Sequence, residues 1–240
     1  MSQLLSSRPL RSVLPQRRVS GGDVAMALCD AALSQDRDAV ADVVMAARDD
    51  GLTDIVLADV LLPRAVCSLG DLWREDHIGW TDVTIGTARL QAALRWLAPP
   101  IQPGDARCHD TKSVLLISCQ DMAHTFGPML LAHQIRRRGL SVALSLDTTP
   151  QSAHARFSDT ASDAVFLTAS HSDGVATLRQ IVKQVRVFNS GVPIVVGGPL
   201  LSARADIGRL IGADIATSDL DEALTQCGLL RQPTGALTKP

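Results

Sequence analysis

The segment Val114–Gly139, VLLISCQDMAHTFGPMLLAHQIRRRG, decides the fold. An apolar strand-like run breaks at Ser118–Gln120, a single histidine follows at 124, and a helical pattern begins around Gly127 and Pro128. Strand, loop and helix in that order and at that length form the opening unit of a parallel sheet. Open α/β sheets bind ligands beyond the carboxyl ends of their strands. The loop carrying His124 is therefore the first place to look for function.

Downstream the same grammar repeats. Strands are expected at Val114–Ser118, Ser141–Leu146, Ala164–Thr168, Pro193–Val196 and Ile215–Ala216. Helices are expected near Pro128–Arg138, Asp173–Phe188, Ala203–Ile211 and Leu220–Cys227. Short, nearly all-apolar strands between amphipathic helices predict a parallel sheet covered on both faces, a Rossmann-like domain over 113–230. Two further strand ends carry candidate residues. Ser170, followed by His171 and Ser172, comes just after the strand ending at Thr168, and Gly197-Gly198 follows Ile194–Val196. A glycine pair lets backbone approach a flat ligand, but it also serves an ordinary strand-to-helix turn. Thr125 is placed to cap the helix after His124, and Gly127 removes a side chain beside the loop. No GxGxxG follows a strand and no GxxxxGK[ST] occurs, which takes away the main support for nicotinamide or P-loop chemistry.

Upstream the grammar differs. Over 22–98 apolar residues recur at helical spacing: Asp23–Leu33, Arg37–Arg48, about Thr53–Trp73 with a Thr53/Asp54 cap signal, and about Thr81–Leu97. Pro63 inside the third predicts a kink or a break. Helices in this number joined by short loops suggest a four-helix bundle. Trp73 and Trp80 bracket His77 near one end of it. The ordinary expectation for such tryptophans is burial in the bundle, and for His77 exposure to solvent. The alternative is a lid over a planar ligand, with His77 approaching its upper face. Residues 99–112, PPIQPGDARCHDTK, read as a linker, 1–21 as a flexible basic arm and 231–240 as a tail.

Composition narrows the classes. No uninterrupted apolar run reaches the ~18 residues of a membrane span, and the amino-terminal region lacks the pattern of a secretory signal. A cytoplasmic protein is expected, with no membrane partner. The net charge of −2 argues against a dedicated nucleic-acid binder, and the absence of tyrosine leaves few stacking platforms. The basic stretch Arg136–Arg138 reads as a helix end at the negative pole of its dipole, with phosphate contact as the alternative. Five scattered cysteines without a CxxC argue against a disulfide framework or a zinc site. Paired carboxylates, GxSxG and HExxH are not found, so nothing points to hydrolytic chemistry.

A helical region followed by a Rossmann-like domain with His124-x-x-Gly127, then Ser170 and Gly197-Gly198, resembles the cobalamin-binding module. That module occurs in methionine synthase, corrinoid methyl-transfer proteins and light-sensing regulators. The family loop carries an acidic residue two places before its histidine, where this chain has Met122. The Trp-x9-Glu-His motif of adenosylcobalamin photoreceptors is not matched: counted from Trp73, its Glu-His falls on Val83-Thr84. The stretch LGDLWREDHIGWTDVTIGTARLQ and the loop His124–Gly127, HTFG, are most similar to the AerR/PpaA anti-repressors of purple photosynthetic bacteria. The resemblance implies a light-responsive protein without enzymatic activity that binds cobalamin, in the hydroxo or adenosyl form. His124 would be the axial ligand to cobalt, and Thr125, Gly127, Ser170, Gly197, Gly198, Trp73 and Trp80 would line the site. His77 is a weaker candidate for the upper position. The implied partner is a DNA-binding repressor of photosystem genes, of the PpsR/CrtJ type, without direct DNA contact by this chain. The alternatives are a corrinoid carrier for methyl transfer and a haem sensor on the same scaffold.

Overall fold

The computed structural model describes residues 21–97, 111–119, 125–153, 162–168 and 174–230. The expected arm, most of the linker and the tail lie outside these residues.

The first helices bury their periodic faces against one another. Helix α1 (Gly21–Leu33), α2 (Ala39–Asp49), α4 (Leu62–Arg74) and α5 (Trp80–Leu97) share a core built on Leu28, Val44, Leu61, Leu69, Leu90 and Leu94. Between α2 and α4 the chain begins a short α3 (Asp54–Val56), capped as expected by the Thr53 hydroxyl, which accepts from Val56 N. It then widens into a π turn, Leu57–Leu61. The irregularity expected at Pro63 takes the form of this division into α3, π turn and α4. The π turn absorbs the irregularity, and Pro63 falls in the first turn of α4, where its missing N–H has no helical partner to lose. Helices α4 and α5 cross closely at Gly86, where a Cβ would sit 3.0 Å from Leu69 Cδ1. Arg89 closes the carboxyl end of α1 by donating to the carbonyls of Ala32 and Ser34.

The second half is a parallel five-stranded sheet in the order β2-β1-β3-β4-β5. Its strands are β1 (Ser113–Cys119), β2 (Ser141–Thr148), β3 (Ala164–Thr168), β4 (Ile194–Gly197) and β5 (Ile215–Ala216). Register is continuous, with Val114 opposite both Val142 and Ala164, and Thr168 opposite Gly197. Alternate residues feed two cores. Leu115, Ile117, Val165, Leu167, Ile194 and Val196 face α7 (Val175–Phe188) and α9 (Ile207–Ile211). Val114, Leu116, Phe166 and Val195 face α6 (Phe126–Arg137) and α10 (Leu220–Gln226). This double burial explains why the strands read as solid apolar runs.

The single helix expected over Ala203–Ile211 is instead two. Pro199 starts a short α8 (Leu200–Ala203), Arg204 leaves helical geometry, and α9 begins at Ile207. The restart lets Gly208 lie against β5, where a Cβ would come within 2.7 Å of that of Ala216.

Helix α6 belongs to both halves. Ala132 and Ile135 lie in the sheet core, while Phe126 is buried in the helical core with Met129 and Leu130 packed beside it. Among the described residues, no helix is long and apolar enough to cross a membrane.

Candidate functional site

Strand order fixes where a ligand has room. From β1 the chain crosses to β2 on one side, and β3 returns to pair with β1 on the other. The topological switch point is thus the carboxyl edge between β1 and β3, the position at which open α/β sheets bind ligands. The two sequence intervals that begin there are those after Cys119 and after Thr168, and they contain His124 and Ser170. Both residues lie outside the described part of the structure.

The described neighbours can be placed. Thr125 is the residue before α6, and Gly127 is the second residue of that helix. A Cβ on Gly127 would meet no described atom within 4 Å, so no packing among these residues demands glycine there. Gly197 and Gly198 stand at the end of β4, one strand beyond β3. Gly198 has φ +105°, a turn conformation that suits glycine, and a Cβ on Gly197 would press within 3.1 Å of the Thr217 carbonyl. Local geometry therefore accounts for both glycines of the pair, whereas no described neighbour accounts for Gly127.

Thr125 does not play the local role expected of it. Its side chain makes no hydrogen bond to the first turn of α6. The hydroxyl instead accepts from Gln91 Nε2 of α5 at 2.7 Å. At the other end of α6, Arg137 is paired with Asp59 of the π turn, both side chains being about four-fifths buried. Beside them His133 is 6% exposed, and burial holds its imidazole below the ordinary value, helped by the Arg137 charge. Gln91 and Asp59 carried no signal in the sequence, because nothing local marks a contact between residues 34 or 78 positions apart.

The remaining candidates lie elsewhere. Trp73 and Trp80, expected by default to be buried in the helices, are 47% and 66% exposed. They flank the turn between α4 and α5, where Asp76 adopts φ +58° and His77, 62% exposed in its side chain, lies 3.4 Å from Glu75. Trp80 is eleven residues from Gln91 in α5, about 16 Å along the helix axis. No described hydrogen bond ties this turn to the sheet edge. The basic helix end is occupied internally. Arg136 donates to Val142 O at 3.1 Å, Arg137 pairs with Asp59, and Arg138 reaches Asp221 at 2.5 Å and Gln134 O at 3.1 Å.

With this geometry in view, known proteins can be compared. No family model matches the chain. Among solved structures it resembles the Methanosarcina barkeri monomethylamine corrinoid protein, with a TM-score of 0.67 and 15% identity over 88% of this chain and 99% of that one. A cobalamin-binding protein from Desulfitobacterium hafniense DCB-2 aligns more loosely, with a TM-score of 0.44 and 16% identity over 88% and 98% of the two chains. The first likeness shows a shared fold of helices preceding a parallel sheet. In sequence, the chain is 30% identical over 175 residues to the uncharacterized 20.5 kDa protein of the bchF-crtJ intergenic region of Rhodobacter capsulatus, covering 72% of this chain and 91% of that protein. On that identity and coverage, the chain belongs to the family of the bchF-crtJ intergenic-region protein.

Proposed function

We propose that this protein is a cobalamin-binding, light-responsive regulator that relieves a DNA-binding repressor of photosystem genes. The observation that carries the reading is the strand order, which puts the topological switch point at the carboxyl edge between β1 and β3. Both intervals beginning there hold the candidate ligand-binding residues, in a fold shared with a corrinoid protein. The location of the relative, between bchF and crtJ, supports a regulatory role aimed at a CrtJ-type repressor.

In this reading His124 supplies the axial imidazole. Gly127, Ser170, Gly197 and Gly198 leave room for the nucleotide side of the ligand. The helices form a four-helix cap whose exposed Trp73 and Trp80 flank its upper face. Bound cobalamin supplies a light-absorbing cobalt centre. The chain's part is to orient that centre, shield it and alter its own helical surface when the centre changes. Gene regulation through a partner suits a chain whose Arg136–Arg138 cluster is committed to internal contacts.

A corrinoid carrier for methyl transfer is the second reading, favoured by the fold shared with the monomethylamine corrinoid protein. One experiment separates them. The purified chain is reconstituted with hydroxocobalamin or, separately, haemin, in darkness and under light. It is then added to a CrtJ-type repressor bound to labelled promoter DNA. The regulator reading expects cobalamin uptake and a light-dependent change in repressor occupancy. Uptake with no effect on the repressor, together with turnover of the methyl-corrinoid form by a methyltransferase, would establish the carrier. Haem uptake alone would make the protein a haem sensor.

A further inference from the structure

A cavity of about 210 Å³ opens in the helical half, between α2 and α5. Its walls are mainly apolar: Val40 and Ala41 from the first turn of α2, Ala92 and Trp96 from α5. Two arginines, Arg37 just before α2 and Arg89 of α5, also line it, and no carboxylate does. Both carry charge that the protein leaves uncancelled. Arg89 is partly buried, and its Nη1 donates to the carbonyl of Ala32 at 2.9 Å and to that of Ser34. Carbonyls fix a guanidinium in place without neutralising it. Arg37 forms no ion pair among the described residues, and the neighbouring Asp36 carboxylate accepts from Asp38 N instead. Trp96 is held by the protein itself: Arg48 lies over its ring, 4.6 Å from the centroid, and Arg48 is gripped by both oxygens of Asp54 at 2.6 and 2.8 Å.

We propose that the cavity between α2 and α5 is a binding site for a small aromatic carboxylate, its ring against Trp96, Ala92 and Val40 and its carboxylate on Arg37 and Arg89. Size and charge choose the class together. An apolar cavity of ~150 Å³ takes up benzene, so this one has room for a single ring bearing a carboxylate. A guanidinium matches the two oxygens of a carboxylate with parallel N–H donors, and an indole favours an offset or edge-on ring. Inorganic phosphate would satisfy the arginines and leave the apolar walls bare. A neutral aromatic would fill the walls and leave both charges uncompensated. The lining residues all belong to the helical half, so the proposal does not depend on the corrinoid reading of the sheet edge. A bound carboxylate bridges α2 and α5.

The test titrates benzoate into the full chain and follows the three indole N–H resonances by NMR, with that of Trp96 assigned from Trp96→Phe. The Trp96 resonance should shift and saturate with a dissociation constant of about 1 mM or tighter, the scale a ligand of this size reaches, while those of Trp73 and Trp80 stay in place. Benzamide, which has the same shape without the charge, should bind about tenfold more weakly, and so should benzoate to Arg37→Ala. Acetate, which has the charge without the ring, should leave Trp96 unmoved. Ala92→Trp fills the cavity from an exposed position and keeps both arginines, so it should abolish the response. Far-ultraviolet circular dichroism should show both variants folded, since Arg37 and Ala92 are surface residues. Benzoate should also raise the thermal midpoint of the wild type and not that of Ala92→Trp. No shift of Trp96 at about 10 mM benzoate would overturn the proposal. Equal responses to benzoate and benzamide, or to benzoate and acetate, would do so too, as would wild-type binding in folded Arg37→Ala or Ala92→Trp.

Discussion

The two edges of the sheet are built on opposite plans. At the amino edge the starts of β1 and β4 are each clasped by an aspartate that precedes a neighbouring strand. Asp163, one residue before β3, accepts from Ser113 N at 2.8 Å, from Ser113 Oγ at 3.3 Å and from Lys112 Nζ at 2.8 Å at the start of β1. Asp214, one residue before β5, repeats the device, accepting from Ile194 N at 2.7 Å and from Arg186 Nη2 at 2.5 Å at the start of β4. Partial burial would raise the Asp163 carboxyl, but the Lys112 and Ser113 bonds outweigh it and hold the group below the ordinary carboxylate range. At the carboxyl edge the strands end on Cys119, Thr168 and Gly197, and no ion pair closes that edge among the described residues. The contrast is between an edge that holds the strands in register and the edge beyond which open α/β sheets bind their ligands.

Variants at the two edges should therefore fail in different ways. The largest loss of stability is expected from Asp163→Ala, about 2–3 kcal/mol, because it strands a backbone N–H and removes a charge-assisted bond. Urea unfolding should record that loss, while hydroxocobalamin uptake per folded chain stays at the wild-type level. A fall in uptake without a fall in stability would break the comparison. Gly198→Ala at the other edge forces a side chain to φ +105° and should cost about 1–2 kcal/mol. Unlike the amino-edge variant, it should also weaken cobalamin binding.

His133 sharpens the picture at the junction of the two halves, where Asp59, Arg136 and Arg137 face it. Its folded-state pKa lies below the ordinary 6.5, so the unfolded chain takes up the proton first. The contribution is fully present above 6.5 and is lost as pH falls from there towards the folded value. Urea midpoints of the wild type should therefore drop between pH 7 and about pH 5 more than those of His133→Leu, which lacks the titrating group. The smallest effect on stability is expected from Trp73→Ala, about 0.5 kcal/mol or less, because the ring is half exposed. Its effect on cobalamin affinity should be severalfold, and an affinity equal to wild type would remove Trp73 from the site.

Much of this molecule is written in local pattern. Leu115, Ile117, Val165 and Leu167 feed one sheet face while Val114, Leu116 and Phe166 feed the other, so β1 and β3 read as continuous apolar runs. The helical spacing in α1, α2 and α5 likewise reflects one buried stripe each. What local pattern does not encode is pairing at a distance. Asp163 and Asp214 look like ordinary loop acids until the parallel register brings them beside Ser113 and Ile194. Thr125 has the composition of a cap, yet the nearness of α5 gives its hydroxyl a different partner. The π turn before Pro63 and the division between α8 and α9 depend in the same way on tertiary fit. For the site, sequence position singles out the loop after β1 and the glycines after β4, and the strand order puts the topological switch point between β1 and β3.

The central claim is that the carboxyl edge binds a corrinoid through His124. Equilibrium dialysis of hydroxocobalamin against wild type, His124→Ala and Asp163→Ala, with visible spectra of the bound fractions, tests it most directly. The account predicts one cobalamin per chain for wild type and for folded Asp163→Ala, with an imidazole-ligated spectrum that His124→Ala loses. Full uptake with an unaltered spectrum in His124→Ala, or no uptake by wild type, would contradict it.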